Sequence, residues 1–220
     1  MTDLLLFPFG GNAREALLAL LAQNEISHSW NPLGFIDDNE MLWGEACCGI
    51  PVLGGRERLN DFPSARVLAV PGSPNNFRGR RELIGGLGLQ RERYATIIDP
   101  SARIAPDARI GKNTLLMANV VISCSVRIGD HCVILPNTVI AHESTIGNYA
   151  LVGSNVSVSG GCVIGENCYI GSGASIRENL CVGPGSLVGM AANILGDVPP
   201  DSVVAGNPAR ILKTLRRFQQ

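Results

Sequence analysis

The side chains best suited to proton transfer in this chain of 220 residues are three histidines, His28, His131 and His142. A neutral imidazole accepts protons near neutral pH, which makes it a natural general base. His142 is followed directly by Glu143 and soon afterwards by an Ile-Gly pair at 146–147. A lone histidine at a turn is usually a solvated surface residue. The His-Glu pair therefore gains meaning only from the elements that position it.

A second group of candidate residues follows the predicted strands of the N-terminal part. The apolar pattern predicts strands at 4–9, 33–36 and 67–70, an extended piece at 50–54 and helices at 13–23 and 75–84. This alternation indicates a small α/β layer with a parallel sheet, in which ligands bind beyond the carboxyl ends of the strands. Those ends carry Gly10-Gly11-Asn12, Asp37-Asp38 and Pro71-Gly72.

The glycine corner at 10–11 has two interpretations. A strand–glycine–helix corner exposes backbone N–H groups that can bind a phosphate. A glycine pair at such a corner more often answers a steric need, and the sequence is not a GxGxxG fingerprint, so no dinucleotide site is predicted. Asp37-Asp38 likewise reads either as a plain turn after a strand or as a ligand contact.

The rest of the chain is organised by a period of six. An Ile, Leu or Val returns at every sixth position from Ile98 to Ile194 without a break. The residue four positions later is small or β-branched throughout, except at Leu180, and glycine often follows the apolar residue directly. Neither a helix nor an alternating strand has this period, so the pattern indicates a repeat architecture.

This pattern resembles the hexapeptide-repeat family, and the resemblance implies a left-handed parallel β-helix. In that fold three hexapeptides form one triangular coil of eighteen residues. The coils stack at roughly 4.8 Å, the spacing of paired strands. The left hand departs from the usual crossover rule and is taken from the family.

Three regions are therefore expected. They are a small α/β domain at 1–93, the β-helix at 94–200, and a C-terminal loop with a capping helix at 201–220. The segment 198–210 resembles the terminal loop of hexapeptide acyltransferases. The helix is expected from about Ala209 to Phe218, where it would cover the open coil.

The combination of features resembles one family over almost the whole chain, the NeuD/PglD-like sugar acetyltransferases. The resemblance lies in the glycine corner, in Gly34-Phe35-Ile36-Asp37-Asp38, in Ile50-Pro51-Val52-Leu53-Gly54 and in the uninterrupted solenoid. It implies an enzyme that uses acetyl-CoA to acetylate a nucleotide-linked amino sugar of the UDP-4-amino type, for surface-glycan synthesis. O-acetylation of a sialic acid or a related sugar stays open as an alternative.

The same resemblance assigns roles to residues. His142 would be the general base, Glu143 would hold its imidazole, and Gly160, one coil later, would offer its N–H to the thioester carbonyl. Coenzyme A would lie in the groove between two prisms of a homotrimer, so that active sites form between subunits. The residues implied for coenzyme A are Gly160, Ser172, Gly189, Met190, Arg210 and Lys213. Those implied for the sugar nucleotide are Gly10, Gly11, Asn12, Asp37 and Asp38.

The sequence departs from the family pattern at three positions. Many relatives carry a second histidine nine residues after the base, where this chain has Leu151. Their asparagine seven residues before the base is Leu135, although Asn137 is nearby, and their histidine at the glycine corner is Asn12. These changes put the identity of the acceptor in doubt.

Two other classes of function compete with acetyl transfer. A zinc hydratase similar to the gamma-type carbonic anhydrases needs three converging imidazoles. His131 and His142 are eleven residues apart, unlike the closely spaced pair of that family, so no metal site is predicted. A non-catalytic solenoid that serves as a binding module is compatible with the repeat alone, but not suggested by His142, Glu143 and Gly160 together.

Composition narrows the partners and the location. The net charge is −1, so nucleic acid is not an expected partner. The apolar run at 4–9 is too short for a membrane span and lacks a basic flank, so we expect a cytoplasmic protein without a signal peptide. Seven cysteines occur without a CxxC motif, and three of them, at 132, 162 and 168, occupy the small inward slot of the repeat. They are expected to be reduced, structural thiols.

Overall fold

A computed structural model describes residues 1–215, which begin with a small α/β domain. The elements are β1 (Thr2–Phe7), α1 (Gly11–Ser27), β2 (Trp30–Ile36), β3 (Ala46–Cys47), β4 (Ile50–Gly54), β5 (Arg66–Ala69) and α2 (Arg80–Gly85). The parallel strands are β1, β2, β4 and β5, in the sheet order β3-β4-β2-β1-β5, and β3 pairs antiparallel with β4 at one edge. The predicted strands are confirmed.

The two helices differ in detail from the sequence prediction. In α1, Leu17 and Leu20 are fully buried with alanines of the same face, whereas Leu18 is 59% exposed. The buried stripe therefore follows the 3.6-residue period and does not include every leucine of the run. The helix predicted at 75–84 is a 3₁₀ turn at Phe77–Gly79 followed by the short α2.

From residue 97 onward the chain forms a three-sided prism of two-residue parallel strands. In each coil the chain passes along a first, a second and a third face, and each face is one parallel sheet. The first face comprises β6 (Ile97–Ile98), β9 (Leu115–Leu116), β12 (Val133–Ile134), β15 (Leu151–Val152), β18 (Tyr169–Ile170) and β21 (Leu187–Val188). The second comprises β7 (Arg103–Ile104), β10 (Val121–Ile122), β13 (Val139–Ile140), β16 (Ser157–Val158), β19 (Ser175–Ile176) and β22 (Asn193–Ile194). The third comprises β8 (Arg109–Ile110), β11 (Arg127–Ile128), β14 (Thr145–Ile146), β17 (Val163–Ile164) and β20 (Cys181–Val182).

The predicted apolar column is the second residue of every one of these strands and points into the prism. From Leu116 to Ile194 each of its members is at most 4% exposed. The corners between faces place one residue in the left-handed backbone region at every sixth position, from Asn113 (φ 54°) to Ala191 (φ 53°). Glycine and asparagine dominate these corners because they tolerate that conformation. The predicted β-helix with a preceding α/β domain is confirmed.

The small domain packs on the first face of the prism. The outward side chains of that face, Leu115, Val133 and Leu151, are at most 3% exposed and join one core with Leu4 and Leu17 of the small domain. Charged, small or partly exposed side chains occupy the corresponding positions of the other two faces. The apolar outward positions of the first face therefore decide which side of the prism the domain covers.

A buried arginine joins the two domains. Arg80 has no exposed surface and donates to the carbonyl of Pro71 and to the solenoid carbonyls of Tyr149 (3.1 Å) and His131 (2.5 Å). Burial lowers the pKa of Arg80 to about 10, so the guanidinium is still charged at neutral pH. Bonds to three carbonyl oxygens compensate part of the cost of burying this charge.

Next to Arg80, the ring of His131 is enclosed between two tyrosines. It stacks on Tyr149 at 4.6 Å between ring centroids and meets Tyr94 edge-on at 5.1 Å. Its Nδ1 lies 2.9 Å from Nδ2 of Asn113, whose amide donates. Burial lowers the pKa of His131 to about 4, and the neutral ring fits the acceptor role of Nδ1.

The C-terminal helix predicted from Ala209 to Phe218 is wrong over its described part. Residues Ala209–Thr214 form a strand, β24, that pairs antiparallel with β23 (Ser202–Gly206). Strand β23 itself extends the first face beyond β21, so β24 covers the edge that would otherwise stay open. The end of the predicted helix, at 216–218, lies outside the described residues.

Neither helix within residues 1–215 has the length and hydropathy of a membrane span. The seven cysteines are free thiols, and Cys132, Cys162 and Cys168 are buried in the inward slots. Burial raises the pKa of Cys132 to about 12, so this thiol is protonated and acts as a compact apolar group.

Candidate active site

The structure brings His142, Glu143 and Gly160 together at one corner of the prism. They lie between the second and third faces, where β13 turns into β14 and where the next coil passes beneath. Backbone bonds between coils fix this corner, because the Glu143 N–H donates to Cys124 (3.0 Å) and the Gly161 N–H donates to the carbonyl of His142 (2.9 Å). The predicted spacing of one coil between imidazole and glycine is thus realised in three dimensions.

The imidazole lies directly on Gly160. A Cβ added to Gly160 would stand 2.4 Å from Cε1 and 2.5 Å from Nε2 of His142, closer than any real contact. Glycine lets the ring lie this close, and a methyl group here would force the ring to shift. Within residues 1–215 the Gly160 N–H has no acceptor, so it is free to donate to a group that binds beside the ring.

Glu143 orients the ring. Its Oε2 lies 3.2 Å from Nδ1 of His142, so the Nδ1–H donates to the carboxylate and Nε2 carries the free lone pair. Glu143 is in the left-handed region at φ 60°, a conformation that favours glycine and asparagine. Both side chains are well exposed, at 59% for His142 and 72% for Glu143. The arrangement presents an imidazole with an open Nε2, a carboxylate on its Nδ1 and a backbone donor.

The residues expected to line the arm of coenzyme A do not all meet at this corner. Ser172, Gly189 and Met190 lie at the corner between the first and second faces, and Met190 is 73% exposed. Arg210 and Lys213 are exposed on β24 beyond the last coil. Within one chain the second face separates Gly160 from Ser172 and Met190. These two corners therefore do not line one groove within a single chain.

At the glycine corner of the small domain, the structure shows open space beside the backbone. A Cβ on Gly11 would meet nothing within 4 Å, and one on Gly10 would touch only Pro8 at 3.9 Å. Neither glycine is in the left-handed region, so no steric or conformational need explains the pair. The N-terminal N–H groups of α1 are therefore left accessible to an anion.

Asn12 and the two aspartates serve first to hold this end of the sheet together. The Asn12 amide donates to the carbonyls of Val70 (3.1 Å) and Gly72 (3.3 Å). Asp37 accepts from the Phe9 N–H at 2.9 Å, which ties the loop after β2 to the loop after β1.

Asp38 points to Arg56 and accepts from its N–H at 2.9 Å and from its guanidinium. The hydrogen bond from Arg56 is the largest influence on the Asp38 carboxyl, and it lowers the pKa. The side chains of Asn12, Asp37 and Asp38 are thus engaged by the protein itself, and their contribution to substrate binding stays a prediction.

The residues that depart from the family pattern have structural roles. Leu151 is 3% exposed in the core between the domains, and Leu135 packs against the same core. Of the other two histidines, His28 is an exposed residue at the end of α1, and His131 is enclosed in the domain interface. His131 lies at a different corner of the prism from His142, so the two rings do not converge. Within residues 1–215 no cluster of three potential metal ligands occurs.

Sequence reasoning missed Arg80, Asn113 and His131 as the residues that join the domains. A signal was present in the outward residues of the first face, which are apolar at every eighteenth position from Ile97 to Leu187. Apolar outward residues recur every eighteen residues on the covered first face but not on the other two faces, so this recurrence identifies the covered face in the sequence.

Comparison with known proteins adds independent information. The family model of the GMPPB C-terminal domain matches residues 93–189, which is most of the prism. A search of curated protein sequences found no match. The acetyltransferase domain of PglB from Neisseria gonorrhoeae is 26% identical, with a TM-score of 0.84, and the alignment covers 96% of this chain and 100% of that domain.

Two further solved structures contain ligands. The same PglB domain in complex with acetyl coenzyme A is 26% identical, with a TM-score of 0.82 and coverage of 96% of this chain and 98% of that one. PerB from Caulobacter crescentus, in complex with CoA and GDP-perosamine, is 25% identical, with a TM-score of 0.81 and coverage of 97% and 98%.

The fold, a small α/β domain in front of a hexapeptide-repeat β-helix, is that of the solved acetyltransferases PglB and PerB. Within that class the chain is similar over its whole length to the NeuD/PglD-like sugar acetyltransferases, and the resemblance stated from the sequence is confirmed.

Proposed function

We propose that this protein transfers an acetyl group from acetyl-CoA to the amine of a nucleotide-linked amino sugar, with His142 as the general base. The observation that carries the proposal is the packing of the His142 ring on Gly160, with Glu143 on Nδ1. Base, orienting carboxylate and backbone donor then surround one point in space. This is the geometry that acyl transfer needs.

The proposed reaction proceeds through a tetrahedral intermediate. The amine nitrogen attacks the thioester carbonyl carbon while Nε2 of His142 accepts a proton from it. The oxyanion accepts a hydrogen bond from the Gly160 N–H, and Glu143 stabilises the imidazolium. The carbon–sulfur bond then breaks, and the thiolate of coenzyme A takes the proton from His142. The products are an N-acetyl sugar and free coenzyme A.

The donor is assigned to acetyl-CoA because two similar structures, which align with 96% and 97% of this chain, were solved with acetyl-CoA or CoA. In this chain we propose that Gly160 lies at the thioester and that the corner of Ser172, Gly189 and Met190 lies along the pantetheine arm. Arg210 and Lys213 are exposed cations on β24, where they would attract the phosphates.

The acceptor is assigned to the small domain. Gly10 and Gly11 leave the N-terminus of α1 open without a steric reason, which suits a diphosphate. PerB was solved with GDP-perosamine, a nucleotide-linked amino sugar, and this favours transfer to nitrogen over transfer to a sugar hydroxyl. A UDP-linked 4-amino sugar is the acceptor we propose to test first.

The position of the small domain supports a site shared between chains. The domain covers the first face, whereas His142 stands at the corner opposite that face. Six residues at about 3.3 Å each give a face at most about 20 Å wide, so the opposite corner is up to about 17 Å away. We therefore propose that a nucleotide held by one chain is acetylated at His142 of another copy, in a homotrimer that closes three such sites.

The test is a thiol-release assay with acetyl-CoA and UDP-, GDP- and dTDP-linked 4-amino sugars, with free sialic acids for the O-transfer alternative. His142→Ala is expected to lose at least a hundredfold in turnover while it keeps its fold and its affinity for acetyl-CoA. Glu143→Gln should lose less. The matched control is His28→Asn, which changes an exposed histidine at φ 43° to a residue that tolerates that backbone.

Undiminished turnover in His142→Ala would overturn the assignment of the base. Turnover on a sialic acid hydroxyl alone would move the function to O-acetylation. Absence of both turnover and acetyl-CoA binding would favour the non-catalytic reading.

A further inference from the structure

The loop after β2 presents an exposed tryptophan from an ordered backbone. Trp43 is 45% exposed and its neighbour Met41 is 86% exposed. The backbone that carries them is tightly bonded. The Asp37 carboxylate accepts from the Asn39 N–H (2.9 Å), and the Asn39 side chain accepts from the Met41 N–H (3.2 Å). The Trp43 N–H donates to Glu40 (3.2 Å). The ordered loop therefore holds a half-exposed aromatic ring where a ligand can reach it.

The indole is also held in a fixed orientation. Its Nε1–H donates to the carbonyl of Asp37 at 2.9 Å. This bond uses the only polar group of the side chain, so what the ring offers to a ligand is its flat aromatic surface.

This tryptophan stands beside the glycine corner. The Asp37 residue that accepts from the indole also accepts, through its carboxylate, from the Phe9 N–H at 2.9 Å. Phe9 immediately precedes Gly10, and β1 and β2 are paired neighbours in the sheet. The indole and the open N-terminus of α1 are therefore linked through Asp37, at the carboxyl ends of two paired strands.

We propose that the nucleobase of the sugar nucleotide stacks on the Trp43 indole while its diphosphate binds at Gly10 and Gly11. This inference rests on the proposed function, since it names the group that binds the base of that substrate. Aromatic stacking tolerates different bases, because every base has a π-face. The stack therefore supplies affinity, and the identity of the base is read by other groups. A base–aromatic stack of ordinary strength changes affinity by roughly 5- to 150-fold.

The chain offers its own control for a fluorescence test, because it contains only two tryptophans. Trp30 is at the amino end of β2, away from the Asp37 end, and its Nε1 donates to Gln23 at 2.9 Å. Intrinsic fluorescence is followed during titration with UDP, GDP and dTDP. Quenching is expected in the wild type and in Trp30→Phe, and its loss is expected in Trp43→Phe.

Calorimetry on the same proteins measures affinity. Trp43→Ala is expected to weaken nucleoside diphosphate binding by roughly 5- to 150-fold, and Trp43→Phe is expected to restore much of it. Acetyl-CoA affinity and the melting temperature should not change, because Trp43 lies outside the buried core.

Nucleotide binding that is equal in wild type and Trp43→Ala would overturn the stacking role and leave the proposed function intact. A wild type that binds acetyl-CoA but none of the three nucleotides would overturn the nucleotide acceptor itself, and the stacking role with it.

Discussion

Replacing Asn113 by glycine tests how the two domains are held together. Asn113 stands at a solenoid corner with no exposed surface, and its carboxamide faces Ala69 at the edge of the small sheet. Its Oδ1 accepts from the Ala69 N–H at 2.7 Å, and its Nδ2 donates to the Ala69 carbonyl at 2.7 Å. The side chain thus pairs with the edge strand β5 as a neighbouring strand would.

The expected magnitude follows from those two bonds. Glycine at 113 keeps the backbone at φ 54° without strain but leaves the N–H and C=O of Ala69 unpaired in a buried position. Each orphaned buried group costs about 1–3 kcal/mol. The free energy of unfolding should therefore fall by about 2–6 kcal/mol.

The assay is denaturant unfolding at a fixed protein concentration, because an oligomer gains stability by mass action. The matched control is Asn155→Gly. Asn155 is an exposed corner residue at φ 56° whose side chain makes no hydrogen bond within residues 1–215. Subtracting its effect removes the contribution of the backbone. A difference between the two variants below about 0.5 kcal/mol would refute the reasoning.

Two further predictions concern a buried ring and a close contact. Because burial holds the pKa of His131 near 4, against about 6.5 in the unfolded chain, the unfolded state binds its proton more readily. The free energy of unfolding should fall as the pH is lowered from about 6.5 to about 4. Urea unfolding measured at several pH values should show that this free energy depends less on pH in His131→Phe than in the wild type. An equal dependence on pH in the two proteins would contradict the prediction. Gly160→Ala should lower kcat at least tenfold, because the new methyl displaces the His142 ring. The control is Gly85→Ala, whose methyl group meets nothing within 4 Å. The prediction is wrong if steady-state assays give the wild-type kcat for both variants.

The error at the C-terminus shows how tertiary context overrides local preference. Residues 209–214 contain good helix formers such as Ala209, Leu212 and Lys213, and nothing local forbids a helix. The solenoid, however, ends in β23, whose free edge offers unpaired N–H and C=O groups. Pairing with that edge satisfies both strands, so the segment becomes β24.

The candidate site likewise combines contacts that the sequence predicts with contacts that only the folded chain creates. The link between His142, Glu143 and Gly160 was predictable because a coil of eighteen residues converts sequence spacing directly into vertical stacking. The engagement of Asp37 and Asp38 by Phe9 and Arg56 was not, since their partners come from distant segments that only the folded sheet brings together.

By itself, the sequence of this protein determined the prism, because a strict six-residue period of Ile, Leu and Val can be buried only by coiling the chain on itself. It also determined which residues share the His142 corner. The apolar outward residues of the first face mark in the sequence which face is covered, but only the tertiary structure decided how the small domain docks there, with Asn113 and Arg80 holding it. The physical reason is that local periodicity governs contacts between successive coils, whereas domain docking depends on shape, burial and hydrogen-bond partners far apart in the chain.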